Sequence, residues 1–190
     1  MFEAFSNVAS AFGLSSAAGL NAYLPLLVVA LTARYTNLIA LNKPWDVLTS
    51  GWVIGVLVVL LMIEMFVDKI PAIDTLNDGI QTIGRPLAGA ILFAGTSGVV
   101  GEMNPVLALI AGLLLAGGVH TAKSVARPAV TAVTAGTGNW AVSIAEDVVA
   151  FFTAIFAIIL PILMAVLVAF ALVLVAWILN KRRSKRVASH

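Results

Sequence analysis

Apolar segments long enough to cross a lipid bilayer recur along this chain. Windows of about 19 residues, the length that spans about 30 Å of hydrocarbon, pick out several of them. Residues 52–67 and 105–119 are the clearest, and residues 140–179 hold enough chain for two segments, with a break at Pro161. Composition agrees, because 61% of the 190 residues are hydrophobic and only 11% are charged. The sequence therefore predicts an all-α integral membrane protein.

Small residues and prolines interrupt these segments. Breaks are predicted at Gly19 to Asn21, at 95–98 and at 136–139, where glycines cluster. Discontinuous helices of this kind place unpaired backbone groups near the middle of a membrane, where solute sites form. We predict about five to seven membrane segments, some broken or re-entrant, in a single domain over residues 1–180.

Two arginine–proline pairs precede short apolar stretches. Proline disfavours α geometry at the residue before it and commonly begins a helix. Residues 86–101 and 128–139 would then each start a short span or a half-helix that turns back. Arg85 and Arg127 would lie beside positive helix ends, which suit an anionic group.

An internal repeat is one interpretation of these pairs. Residues 78–90 align with residues 120–132 so that the two arginine–proline pairs coincide. Duplicated halves are common in transporters. Chance similarity between two Ala- and Gly-rich segments is the alternative.

The C-terminal tail, residues 181–190, is strongly basic and carries five of the eleven Lys and Arg residues. Basic segments next to a span stay on the cytoplasmic side. We therefore expect a multi-pass protein of the inner (plasma) membrane with a cytoplasmic C-terminus. Because the tail accounts for the net charge of +2, no nucleic-acid partner is expected. The chain has no cysteine, which excludes disulfides and thiolate chemistry.

Ionisable residues at helical spacing adjoin the predicted spans. A charge in the bilayer costs several kcal/mol unless it is paired or hydrated, so these side chains are expected to face inward. Three sets share a helix face by their spacing: Glu64 with Asp68, Asp74 with Asp78, and the basic trio His120, Lys123 and Arg127.

Carboxylates outnumber permanent bases in the middle of the chain. Residues 64 to 147 contain seven of the former and four of the latter. The three left over would hold protons or bind a cation in a low-dielectric setting, as a coupled carrier requires. The alternative is that several of them lie at the level of the lipid headgroups, fully hydrated.

Four polar motifs resemble one bacterial membrane-protein family. They are GLNAYLPLL, E-x3-DKIP-x2-D-x2-ND-x2-Q-x3-RP, H-x2-K-x3-R and GN-x3-S-x2-ED, which extend from about Ser15 to Asp147. The chain is similar through them to the family called domain of unknown function 4126. This resemblance supports the polar positions as one functional set and implies no particular activity.

The leading hypothesis is a small secondary transporter or channel-like permease for a cation or small polar solute, coupled to protons through intramembrane carboxylates. The predicted ion- or solute-binding residues are Glu64, Asp68, Asp78, Glu146, Asp147, Asn21 and Asn139. The residues predicted for pairing, gating or anion contact are Lys69, Arg85, His120, Lys123 and Arg127.

Two other functions remain open. Arg85 and Arg127 would suit translocation of an anionic lipid such as a polyprenyl or phospholipid phosphate, and a structural or assembly subunit would need no solute path. No catalytic constellation occurs, so we expect neither an enzyme nor a cofactor, and a metal site is left undecided. Faces of small residues allow a homo-oligomer within the bilayer.

Overall fold

Helices are the regular secondary structure of the part of the chain that its computed structural model describes. That part comprises residues 2–67, 71–96, 104–134 and 138–161 and isolated residues from 163 to 181, without the side chains of 2–4, 67 and 71–79. The α-helices found there are α1 Phe2–Leu20, α2 Tyr23–Tyr35, α3 Gly51–Val67, α4 Pro71–Thr96, α5 Pro105–Thr134 and α6 Asn139–Ile159. A short 3-10 helix, Trp45–Thr49, precedes α3. The predicted all-α class is confirmed.

Helix α1 lies at the centre of the bundle and packs against α4, α5 and α6, while α2 packs against α3 and α6. The buried face of α1 carries Leu14, Ala17 and Ala18, which belong to the main apolar core. Nearer its N-terminus, Phe12 meets Phe93 of α4 edge to face, with ring centroids 5.4 Å apart. Small residues on α1 let the surrounding helices approach closely.

The closest approach is between α4 and α5. A methyl group added at Gly112 would collide with the Gly89 carbonyl oxygen and would lie 2.8 Å from Ala90 Cα. One added at Gly19 of α1 would lie 2.6 Å from the Ala116 carbonyl oxygen of α5. Glycine is required at these positions because backbone from a neighbouring helix occupies the space of a side chain.

Two of the predicted helix breaks are visible. Helix α1 ends at Leu20 and α2 begins at Tyr23, so the Gly19 to Asn21 break is confirmed. Helix α6 ends at Ile159, two residues before Pro161, which confirms the break in the last apolar stretch. The described part of α4 extends to Thr96, and α6 starts at Asn139. Residues 97–103 and 135–137, which hold most of the other two predicted breaks, lie outside the described part.

The prediction that helices begin at the two arginine–proline pairs is wrong. Pro86 lies inside α4 and Pro128 inside α5, and both helices continue through them. A proline in a helix interior forfeits one backbone hydrogen bond, but packing against neighbouring helices offsets this loss. Residues 86–96 and 128–134 are therefore the second parts of long helices and not half-helices of their own.

Among the described residues, two helices, α5 and α6, are long and apolar enough to cross a membrane, and α2 and α3 are shorter apolar helices. Large apolar side chains are exposed along several of them, including Trp52 and Phe66 on α3 and Phe152 on α6. Charged side chains, in contrast, are among the most buried in the described chain. The bundle thus carries apolar groups outside and charged groups inside.

Candidate functional site

The site is built around the break between α1 and α2. Asn21 is buried, and its side-chain oxygen accepts hydrogen bonds from the backbone N–H groups of Tyr23 at 3.1 Å and Leu24 at 2.9 Å. Two amide groups that lack partners at the start of α2 are satisfied in this way. The polar break is stable inside the bundle because a side chain completes its backbone hydrogen bonds.

A charged side chain makes a hydrogen bond on each side of the break, at the end of α1 and before the start of α2. On the α1 side, Lys123 Nζ donates to the Leu20 carbonyl oxygen at 3.2 Å. On the α2 side, Asn21 Nδ2 donates to Asp147 Oδ1 at 2.9 Å. A cation at a helix C-terminus and an anion near a helix N-terminus complement the two helix dipoles.

Lys123 also forms an ion pair with the neighbouring acid of α6. Its Nζ lies 2.7 Å from Glu146 Oε2, and the two side chains are 4% and 15% exposed. A charge-assisted pair this short and this shielded is stronger than a surface pair. Lys123 therefore joins α5 to both α6 and the end of α1.

A second ionic group connects α3, α4 and α5. Arg85 Nη2 lies 3.2 Å from Glu64 Oε1, and both side chains are 1% exposed. Arg85 Nη1 lies 3.1 Å from His120 Nδ1, and His120 Nε2 lies 3.3 Å from Thr82 Oγ1. Because arginine only donates, Nδ1 accepts and the ring proton is placed on Nε2, directed at Thr82.

The two ionic groups meet on one face of α5. His120, Lys123 and Arg127 are all buried there, below Ala108, Gly112 and Ala116 on the same face. The predicted basic face is thus confirmed as an inward face. We call these two groups together the ionic site. It comprises Asn21 and six charged or imidazole side chains: Glu64, Arg85, His120, Lys123, Glu146 and Asp147.

Other predicted residues are not brought to this site. Asn139 begins α6, and its side-chain oxygen accepts from Thr131 Oγ1 at 3.1 Å. Asp68 and Lys69 lie outside the described residues, and of Asp78 only the backbone, within α4, is described. The proposed Glu64 and Asp68 pair therefore stays a prediction.

The predicted surplus of carboxylates depends on side chains that the structure does not describe, so it also stays a prediction. Asp68 and Glu102 lie in the segments not described, and the side chains of Asp74 and Asp78 are not described. Among the described residues, one buried carboxylate (Glu64) and two half-buried ones (Glu146 and Asp147) accompany three buried permanent cations (Arg85, Lys123 and Arg127). In this part of the chain the acids and bases balance.

Sequence reasoning missed Gln81 and Tyr23. Gln81 is 1% exposed, one helical turn before Arg85, and its Oε1 finds no hydrogen-bond partner among the described residues. Tyr23, at the start of α2, lies beside Gln81 and within electrostatic reach of Glu64. The sequence did contain a signal for Gln81. In the repeat alignment Gln81 coincides with Lys123, and each of the two lies four residues before an arginine, Arg85 or Arg127.

The donors in the described chain do not resemble a metal centre. No group of three or more His, Asp or Glu side chains there is placed to hold a metal ion. Each carboxylate of the ionic site contacts a donor of the protein: Glu64 pairs with a guanidinium group, Glu146 with an ammonium group, and Asp147 accepts from an amide. The arrangement suits relay or exchange of charge between helices.

These features define an all-helical protein with a buried ionic site at a helix break. The chain belongs to the family described as domain of unknown function (DUF4126), whose profile matches residues 8–181. The suspected family is thereby confirmed, over a longer part of the chain than the motifs covered. No curated protein and no solved structure matches the chain.

Proposed function

We propose that this protein is a small multi-pass membrane permease, a secondary transporter or channel-like carrier of a cation or small polar solute coupled to protons. The observation that carries the proposal is the convergence of buried charges on the α1–α2 break. Charged residues inside a membrane bundle are costly and usually mark a solute or proton path. The broken helix supplies backbone groups of the kind that bind solutes in known transporter folds.

The distribution of polarity supports a membrane location. Trp52 on α3 is 88% exposed, whereas Arg85 and Glu64 are 1% and 2% exposed. In water such a surface would expose far more contiguous apolar area than a monomer usually does. Helices α5 and α6 with the shorter apolar α2 and α3 support several spans, and the basic tail supports a cytoplasmic C-terminus.

Lys123 suggests how charge exchange would work. Its ammonium group occupies the carbonyl end of α1 while it pairs with Glu146. Protonation of Glu146 would remove the negative partner and free Lys123 to move. The carbonyl of Leu20 would then be open to an incoming cation or hydrogen-bond donor. Glu64, held by Arg85, offers a second acid for the same kind of exchange.

Proteoliposomes containing a pH-sensitive dye test this function. Glu64→Gln and Glu146→Gln are expected to reduce solute-driven proton movement at least tenfold, because each removes a titratable partner of a buried cation. Asp46→Asn is the matched control, since this acid begins the exposed 3-10 helix away from the site. Proton movement equal in wild type and both site variants, for every cation and small polar solute tried, would refute coupling through these acids.

The lipid-translocase alternative makes a different prediction. Arg85 and Arg127 are both buried, as a headgroup groove would require, but Arg85 already holds a carboxylate of the chain. If anionic lipid were the substrate, the wild-type protein would scramble phosphate lipid, Arg85→Gln with Arg127→Gln would abolish that scrambling, and cation-driven proton movement would be absent from both. An assembly subunit would show neither activity.

A further inference from the structure

His120 is a titratable side chain of the ionic site that the exchange at Glu64 and Glu146 leaves unused. It is 5% exposed, and both of its ring nitrogens have polar neighbours. Nδ1 lies 3.1 Å from Arg85 Nη1, and Nε2 lies 3.3 Å from Thr82 Oγ1. Imidazole is the side chain whose charge changes between about pH 5 and 8, so a proton on this ring is a change that the protein can use.

The contact between Arg85 and His120 requires a neutral ring. A guanidinium group only donates hydrogen bonds, so Nδ1 has to supply a lone pair. If Nδ1 carried a proton, two donors and two positive charges would face each other at 3.1 Å. A protonated ring and the present position of Arg85 therefore exclude each other.

Arg85 extends this conflict to Glu64. The same guanidinium group holds Glu64 Oε1 through Nη2 at 3.2 Å, and both side chains are 1% exposed. Because the group is planar and rigid, one of its nitrogens cannot retreat far while the other stays in place. Retreat of Arg85 from a protonated His120 therefore opens the ion pair between α3 and α4.

The charged and titratable groups around these contacts come from five helices. In the described part they are Tyr23 of α2, Glu64 of α3, Arg85 of α4, Lys123 and Arg127 of α5, and Glu146 and Asp147 of α6. Helix α1 has no titratable side chain after Glu3, and of Asp78, one turn before Thr82, only the backbone is described. The three carboxylates and three permanent cations of this set cancel. A proton on His120 would leave one positive charge in excess, which burial disfavours unless a cation moves away.

We propose that His120 is the residue that takes up the coupling proton, and that a proton on Nδ1 displaces Arg85 and opens its ion pair with Glu64. The Glu64 carboxylate then exchanges the guanidinium group for the solute. This inference rests on the proposed permease only for its role in transport. Protonation of His120 and its effect on Arg85 are measured without flux, so either proposal can fail alone.

NMR of the full-length protein in detergent micelles tests the link between the two residues. The chain has two histidines, His120 and His190 of the tail, so the Cε1–H signals of both rings can be followed as the pH is lowered from about 8 to 5. The Arg85 Nε–H signal, assigned by its loss in Arg85→Lys, is recorded in the same samples. We expect the His120 and Arg85 signals to change with one common midpoint, while the titration of His190 leaves Arg85 unaffected.

Two results would overturn the proposal. In the first, His120 takes up a proton and the Arg85 Nε–H signal does not change. In the second, His120 stays neutral over the whole range of pH. Either result would show that the ring is a structural acceptor for Arg85 and not a proton site.

His120→Gln is the matched variant, because its amide keeps one acceptor and one donor but takes up no proton in this range. It is expected to abolish the pH response of Arg85 Nε–H and the solute-driven proton movement in proteoliposomes, whereas His190→Gln should preserve both. A pH response of Arg85 that persists in His120→Gln would refute the assignment.

Thr82→Val keeps the test decisive even if His120→Gln fails to fold. Thr82 is exposed, so this change costs little, yet it removes the neighbour of Nε2. The midpoints of the His120 and Arg85 signals are expected to move together in this variant. Separate movement of the two midpoints would contradict the proposal.

Discussion

At the scale of single residues, the protein depends on charges that are buried together. Lys123 has two partners in the described chain, the Glu146 carboxylate and the Leu20 carbonyl oxygen. Removal of one member of a buried pair leaves the other charge without compensation, which costs more than the pair itself contributes. Such residues therefore have a large effect on the stability of the fold.

Lys123→Met is expected to lower the free energy of unfolding by roughly 3 kcal/mol, because it strands the Glu146 carboxylate. Adding Glu146→Leu should restore part of the loss, and only part, since the Leu20 carbonyl oxygen still lacks its donor. Denaturant unfolding in detergent, read as a double-mutant cycle, measures the coupling. Strictly additive effects would show that the pair makes no net contribution.

At the scale of helices, close packing of small residues decides which elements meet. Gly112 of α5 is opposed by backbone of α4, whereas Gly118, less than two turns later, has open space around it. The two glycines look alike in the sequence. They differ only in what the neighbouring helix places beside them.

Gly112→Ala and Gly118→Ala form a matched test of that contact. The first is expected to destabilise by roughly 1–3 kcal/mol, because the new methyl group overlaps α4. The second should stabilise by roughly 0.5–1 kcal/mol, since alanine is the better helix former where nothing collides. Thermal unfolding followed by helical circular dichroism gives both values, and the same sign for both would refute the packing.

Helix continuity through Pro86 and Pro128 belongs to this scale as well. Local rules predict a break before each proline, because the ring removes a backbone donor. In the bundle both helices continue through their prolines, and α4 packs against both α1 and α5. Tertiary packing outweighs one lost hydrogen bond, and only the folded chain reveals that outcome.

At the scale of the whole molecule, polarity is arranged with charge inside and apolar side chains outside. That arrangement is expected of a protein whose surroundings are lipid. The ionic site lies within the bundle, where side chains of α3, α4, α5 and α6 meet the end of α1.

Topology is open to a direct measurement because the chain has no cysteine. A single Ser184→Cys, placed in the basic tail, is expected to resist a membrane-impermeant maleimide in intact cells and to react once the membrane is permeabilised. Ready labelling in intact cells would place the tail outside and reverse the predicted orientation.

The sequence by itself determined the all-α class, the breaks at Asn21 and Pro161 and the inward face of His120, Lys123 and Arg127. These follow from helical periodicity, from helix-breaking residues and from the spacing of the three basic residues, all of which act locally. Only the tertiary structure decided that Arg85 meets Glu64 and that Lys123 meets both Glu146 and the end of α1. The reason is that helix pairing depends on how small residues from distant segments fit together, and no local pattern records that fit.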